Sequence, residues 1–174
     1  NTFKVTLPFT DLASVENIAT CITTMLYLKI ETSYIQIAIT NLHAVQMRLQ
    51  VKKGANDCLI IDDSYSSDYQ SLKIALDFLE QQKTHQQKTV ILSDIFQSGF
   101  TPEVLYDKVG QLLNQNHVSR VIGIGQKIGS YLTNVHQFQS YPDTETFLSD
   151  FNLKSFRNET LLIKGSRSFE FEKI

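Results

Sequence analysis

Residues 58–72, CLIIDDSYSSDYQSL, carry an apolar segment straight into two adjacent carboxylates, Asp62 and Asp63, and then into a turn of Ser, Tyr, Ser, Ser and Asp. Paired acids at the end of a buried strand suit several kinds of chemistry. They can hold a metal ion, accept a phosphoryl group, accept hydrogen bonds from sugar hydroxyls, or cap a helix. Three further apolar runs end in polar or flexible residues: Ser93-Asp94, Gly123-Ile124-Gly125 and Lys164-Gly165-Ser166-Arg167. Each has a structural use as well, since Asp and Gly favour turns and Lys and Arg favour solvent. Other chemistries lack their residues. No G-x-x-x-x-G-K-[ST] occurs, so a P-loop phosphate cradle is missing from this sequence. GIGQKIG, residues 123–129, spaces its glycines one residue too long for a dinucleotide fingerprint and comes too late in the chain. No Ser-His-Asp or Cys-His signature is present. The four histidines are scattered, and Cys21 and Cys58 have no metal spacing, which predicts two reduced, buried thiols and no metal site.

The elements that must position these residues follow from hydrophobic periodicity. Ile18, Cys21, Ile22, Met25 and Leu26 fall on one helical face with Ser14 as a cap, and Ile35, Ala38, Ile39 and Leu42 on another, so residues 13–43 predict a helical pair. VQMRLQVKKGANDCLIIDD predicts two strands joined at KKGAND as an antiparallel hairpin. Beyond it, strands and helices alternate. CLIID leads to a helix over 68–82 with Leu72, Ala75, Leu76 and Leu79 inward. KTVILSD leads to a helix capped by Thr101 and opened by Pro102, with Leu105, Val109, Leu112 and Leu113 inward. RVIGIG leads to a short helix near 126–133, HQFQSY to a helix in DTETFLSDF, and TLLIKG is the last strand.

Such alternation calls for an α/β fold: a Rossmann-like, mostly parallel sheet of about six strands, one of them antiparallel, with helices on both faces. The helical pair breaks that rhythm, which places a domain boundary near residue 46, with 1–45 and 46–174 as separate pieces. In an open parallel sheet, ligands bind outside the carboxyl ends of the strands, so the acids, glycines and bases named above converge on one functional edge.

The 174 residues are 42% hydrophobic and 20% charged, enough for one ordinary core. A net charge of −2 and a pI near 6.1 offer no basic field to nucleic acid or anionic lipid. No apolar run approaches the roughly 20 residues that span a bilayer, and NTFKVTLPF lacks the pattern of a signal peptide. A cytoplasmic location is expected. Two readings remain on these grounds. One is a receiver-like phosphoacceptor or stand-alone binding module with an acidic strand-end site around magnesium. The other is a lid domain that completes the site of a larger enzyme. The receiver reading fits poorly, because Asp94 ends the very next parallel strand after the acid pair and a helical pair precedes both.

IIDDSYSSDYQSLKIALDFL resembles the D-S-Y-N-A-N-P-x-S-M segment that opens the C-terminal domain of the Mur ligases. VILSDIFQSG resembles their L-G-D-M-x-E-L-G, KVG at 108–110 their E-V-G, and LLIKGSRSFEFEKI their V-K-G-S-R-S-x-x-M-E ending. Upstream, SVENIATCITTMLYLKI is similar to the H-N-x-x-N-A-x-A-A helix of the ATPase domain, and VQMRLQV to the interdomain P-G-R-M-E segment. The similarity runs in order along the whole chain and is strongest to the class that joins D-alanyl-D-alanine to UDP-N-acetylmuramoyl tripeptide. Ser66, Asp68 and Tyr69 depart from the family's Asn, Asn and Pro, Ser93 from its Gly, and Ala13-Ser14 from its His-Asn pair. The departures resemble a form of the ligase fused to an alanine racemase, in which case a pyridoxal phosphate enzyme would follow.

The resemblance implies an ATP- and Mg2+-dependent ligase of peptidoglycan synthesis, with the magnesium ligands, the P-loop and the UDP-binding domain outside this chain. The N-terminal and central Mur ligase domains would be its partners, and the fragment alone would be inactive. It further implies that Asp63 accepts the ATP ribose hydroxyls, Arg48 reaches the phosphates, Asn17 touches adenine and Tyr65 packs on the nucleotide. Lys164, Ser166, Arg167 and Asp94 are expected toward the dipeptide, and Asp62 to be structural.

Overall fold

A computed structural model describes residues 4–9, 12–43, 47–96 and 98–174. The chain divides into two units, Asn1–Val45 and Gln46–Ile174. The first holds helices α1 (Leu12–Tyr27) and α2 (Thr32–Thr40), which pack on one another. Ile18, Ile35 and Ile39 are buried, as their spacing predicts. Three details differ from the sequence expectation. α1 begins two residues before Ser14, so Ser14 lies inside its first turn rather than at its cap. Cys21 faces solvent, and Leu42 lies beyond the end of α2. Leu12, Leu26, Tyr27, Leu28, Tyr34 and Ile37 are exposed along this pair.

The second unit is built on a six-stranded sheet. Its strands are β1 (Gln50–Lys53), β2 (Leu59–Asp63), β3 (Lys88–Ser93), β4 (Arg120–Ile124), β5 (Phe138–Tyr141) and β6 (Thr160–Lys164). The helices are α3 (Tyr69–Gln81), α4 (Pro102–Gln115), α5 (Gln126–Tyr131) and α6 (Thr144–Asp150). The order across the sheet is β1-β2-β6-β3-β4-β5, with β1 antiparallel to β2 and every other pair parallel. The mostly parallel α/β sheet with one antiparallel edge strand therefore forms as the periodicity requires. β3 and β6 are buried at every position, the mark of central strands covered on both faces.

Alternation along the strands separates two cores. Ile61, Val90, Leu92, Val121 and Leu162 meet Leu72 and Leu76 of α3, Val109 and Leu113 of α4 and Ile128 of α5. On the other face Ile91, Ile122, Leu161 and Ile163 meet Phe147 of α6 together with Phe156 and Phe171. α3 starts cleanly because Asp68 accepts from the Ser71 amide at 2.9 Å while Ser71 Oγ accepts from the Asp68 amide, a reciprocal capping box. The aspartate that departs from the family pattern at 68 is thus absorbed into a well-formed helix start.

The sheet edge opposite the strand carboxyl ends is closed by ions. Glu159, 1% exposed, accepts from Arg120 Nη2 at 3.0 and 2.9 Å, from Thr89 Oγ1 at 2.5 Å and from the Arg157 amide at 3.2 Å. The Arg120 guanidinium also lies 4.9 Å from the Phe156 ring centre.

Candidate functional site

The strand order brings the carboxyl ends of β2, β6, β3 and β4 side by side. β6 inserts between β2 and β3, so Asp63 registers with Lys164 on one side and Lys164 with Leu92 on the other. The parity of the two aspartates then decides their roles. Asp62 shares the face of Ile60 and is engaged there: Lys52 Nζ donates to it at 2.6 Å and Ser64 Oγ at 2.6 Å. Asp63 takes the opposite face. Lys164 Nζ donates to its Oδ2 at 2.8 Å, and the Leu49 amide to its Oδ1 at 3.3 Å. Burial pushes the Asp63 carboxyl up from its ordinary value, while the Lys164 charge and hydrogen bond, the Leu49 amide and the Arg48 charge pull it back.

Two guanidiniums flank the same turn. Arg48 lies 4.7 Å and Arg167 5.9 Å from the centre of the Tyr65 ring, and Tyr65 remains 42% exposed. Both are cation–π distances. Arg48 is held between two left-handed residues, Met47 at φ 60° and Leu49 at φ 47°, conformations that bulky side chains disfavour. The Arg167 amide donates to the Tyr65 carbonyl at 3.2 Å, tying the loop after β6 to the loop after β2. Ser166 is half-buried, its amide donating to Ser93 Oγ at 3.1 Å and its hydroxyl 3.1 Å from that of Ser168. Asn17 is exposed on α1 in the other unit.

Two residues expected toward a dipeptide are buried and already partnered. Lys164 is wholly buried, and its ammonium is taken up by Asp63 and by the Ser66 carbonyl at 2.6 Å. Asp94 is buried as the anchor of α5. Its Oδ1 accepts from the Ile128 amide at 2.7 Å and from Tyr106 Oη at 3.2 Å, and its Oδ2 from the Lys127 amide at 3.3 Å. Burial pushes the Tyr106 hydroxyl up, with the Asp94 charge adding to the effect. That engagement occupies Asp94, one of the acids a receiver-like site would use. Sequence periodicity had the signal for this arrangement, because Tyr106 sits between the inward Leu105 and Val109 and a buried tyrosine hydroxyl needs a partner.

The loops beyond the edge carry features no motif disclosed. Phe96 stacks on Phe169 with ring centres 6.1 Å apart, and Lys127 Nζ lies 5.9 Å from the Phe96 ring. Among the described residues, no group of three or more His, Cys, Asp or Glu side chains is arranged to hold a metal ion. Nor is any described helix long and apolar enough to cross a membrane. The chemistry available is therefore acceptance of hydroxyl hydrogen bonds at Asp63 and recognition of anions and planar rings by Arg48, Arg167 and Tyr65.

No family model matches the chain. It is 25% identical over 174 residues to the UDP-N-acetylmuramoyl-tripeptide–D-alanyl-D-alanine ligase of Buchnera aphidicola from Acyrthosiphon pisum, covering 98% of this chain and 38% of that protein. The Escherichia coli enzyme of the same name is 25% identical over 142 residues, 80% of this chain and 31% of its own length. Among solved structures, MurF from Acinetobacter baumannii superposes with a TM-score of 0.78 at 22% identity, over 97% of this chain and 38% of that one. MurF from Thermotoga maritima, solved in complex with ADP, gives 0.76 at 18% identity, over 98% and 39%. The chain thus spans under two-fifths of the length of these relatives.

Proposed function

We propose, for a chain that corresponds over nearly its whole length to the C-terminal part of a MurF-type Mur ligase, that it is the closing domain of an ATP-dependent amide ligase. The parent would phosphorylate the terminal carboxyl of a UDP-N-acetylmuramoyl tripeptide. The amine of D-alanyl-D-alanine would then attack the acyl phosphate, releasing phosphate and leaving ADP and the new amide. This chain contributes binding and orientation. Asp63 accepts the ribose hydroxyls, Tyr65 packs against the nucleotide, and Arg48 swings from the Tyr65 ring to the phosphates, where a planar cation suits developing charge. Asn17, in the preceding helical unit, meets adenine. Ser166 and Arg167 receive the dipeptide carboxylate, while Asp94 positions α5 from behind. Closure of the edge excludes water from the hydrolysable acyl phosphate and aligns the amine. ATP and Mg2+ are held mainly by the central domain of the parent. The exposed apolar residues of α1 and α2 support the reading of residues 1–45 as the end of that ATPase domain.

The observation that carries this proposal is Asp63, a buried carboxylate held at the strand edge beside a turn flanked by two guanidiniums. In the full-length protein, Asp63→Asn, which keeps an acceptor for Lys164, is expected to weaken ATP binding by roughly tenfold or more, the value of hydrogen bonds to a charged acceptor, with an unchanged circular dichroism spectrum. An unaltered ATP affinity by calorimetry would sink the ribose assignment. The 174-residue chain alone is expected to form no ligated product from ATP, tripeptide and dipeptide. Measurable turnover by it would refute the division of labour.

A further inference from the structure

We infer that Lys164 is a positioning residue for the nucleotide, acting through Asp63 and the Tyr65 loop, and does not touch the dipeptide. The inference rests on the reading of Asp63 as ribose acceptor and adds what makes that carboxylate fit for the task.

Lys164 closes a strand, TLLIK, whose other members are uncharged and buried. The residue is wholly buried, and its ammonium meets Asp63 Oδ2 at 2.8 Å and the Ser66 carbonyl at 2.6 Å. A buried ion pair of this kind is a poor stabiliser compared with an apolar residue of similar volume, because both charges leave water. What the lysine does supply is control of one acceptor. An ionised carboxylate offers about four lone-pair sites and no donor. Lys164 takes one site on Oδ2 and the Leu49 amide one on Oδ1, so two remain, one on each oxygen. Two acceptor sites on one rigid carboxylate match a pair of vicinal hydroxyls.

Burial opposes that ionised state, and Lys164 is the foremost opposing charge, with Arg48 contributing from the segment before β1. Lys164 also acts on Asp68, the acid facing it from the start of α3. Asp62 is turned to the other face with Lys52 and Ser64. Through the Ser66 carbonyl the same ammonium pins the loop that carries Tyr65. Removing it therefore releases both the carboxylate and the turn beside it.

The test uses the full-length ligase, with KM measured for ATP, for 2′-deoxyATP and for D-alanyl-D-alanine from mildly acidic to mildly alkaline pH. Lys164→Met is expected to raise the KM for ATP roughly tenfold at the acidic end. That increase, and the accompanying loss of preference for ATP over 2′-deoxyATP, should fade as pH rises. The reason is that loss of the opposing cation moves the Asp63 carboxyl further up, so it is protonated over a wider acidic range. The KM for the dipeptide should not move. Asp63→Asn should lose the ribose preference at every pH. If Asp63→Asn keeps that preference, the ribose reading itself fails. If Asp63→Asn loses it but Lys164→Met keeps the parental pH profile, or raises only the dipeptide KM, the Lys164 inference alone is overturned. Should Lys164→Met not fold, the double variant Asp63→Asn/Lys164→Met leaves no lone buried charge. It should match Asp63→Asn in both KM values, and any further rise for the dipeptide would overturn the inference.

Discussion

Arg120→Met is expected to destabilise the 174-residue chain by about 3–5 kcal/mol, the cost of leaving one member of a buried ion pair alone. Glu159 is the member left behind. It is 1% exposed, and Arg120 is the cation that spans both of its oxygens. The Thr89 hydroxyl and Arg157 amide remain to satisfy it, but neither carries charge. The substitution also removes the guanidinium that covers Phe156. Urea denaturation followed by circular dichroism should report the loss, and the melting temperature should fall by on the order of 10 °C. Pairing the change with Glu159→Gln should recover part of it, because the remaining group is then neutral. A loss below about 1 kcal/mol for Arg120→Met would place this pair among exposed, weakly contributing bridges.

Gly125→Ala should be nearly as costly for a different reason. Gly125 opens α5 at φ 138° and ψ 158°, a region essentially reserved for glycine and costing other residues roughly 1–3 kcal/mol. A Cβ there would lie 2.5 Å from Asp94 Oδ1, well inside van der Waals contact. Asp94 has no slack, since it serves the Ile128 and Lys127 amides and Tyr106 together. Displacing it strands buried donors, each at about 1–3 kcal/mol. Hydrogen exchange should localise the damage, with the Ile128 amide losing protection while amides of β2 and β6 keep theirs. Retained protection at Ile128 would contradict the role given to Asp94.

Much of this architecture is legible in the residues. The inward face of α3 is spelled by Leu72, Ala75, Leu76 and Leu79, and Thr101-Pro102 announces α4. The alternation of strands with helices fixes the parallel class. The pairing order is less accessible. Nothing local in TLLIK says that it lies between β2 and β3, because strand neighbours are chosen by the whole sheet. Yet that choice sets Lys164 against Asp63 and buries the pair at the strand ends. The engagement of Asp94 is hidden for a related reason: its partners, Tyr106 and the first amides of α5, come from two other elements. Cys21 and Leu42 illustrate a further gap, since helical spacing identifies an apolar face without saying whether anything covers it. The aromatic pair Phe96 and Phe169 belongs to two loops far apart in sequence, and no periodicity links them.

The insertion of β6 also bears on how the molecule is made. β6 is the last of the six strands to leave the ribosome, yet it occupies the interior of the sheet. Until it arrives, β2 and β3 each present an unpaired edge, the sort of open template that invites wrong partners. The pairing that cures this joins residues about a hundred positions apart, a slow closure for a growing chain. Because the closing strand carries Lys164, the carboxylate at Asp63 acquires that ion-pair partner only when the sheet is complete. A chain interrupted during synthesis would therefore carry its acid pair with Asp63 lacking the lysine that pairs with it in the finished sheet.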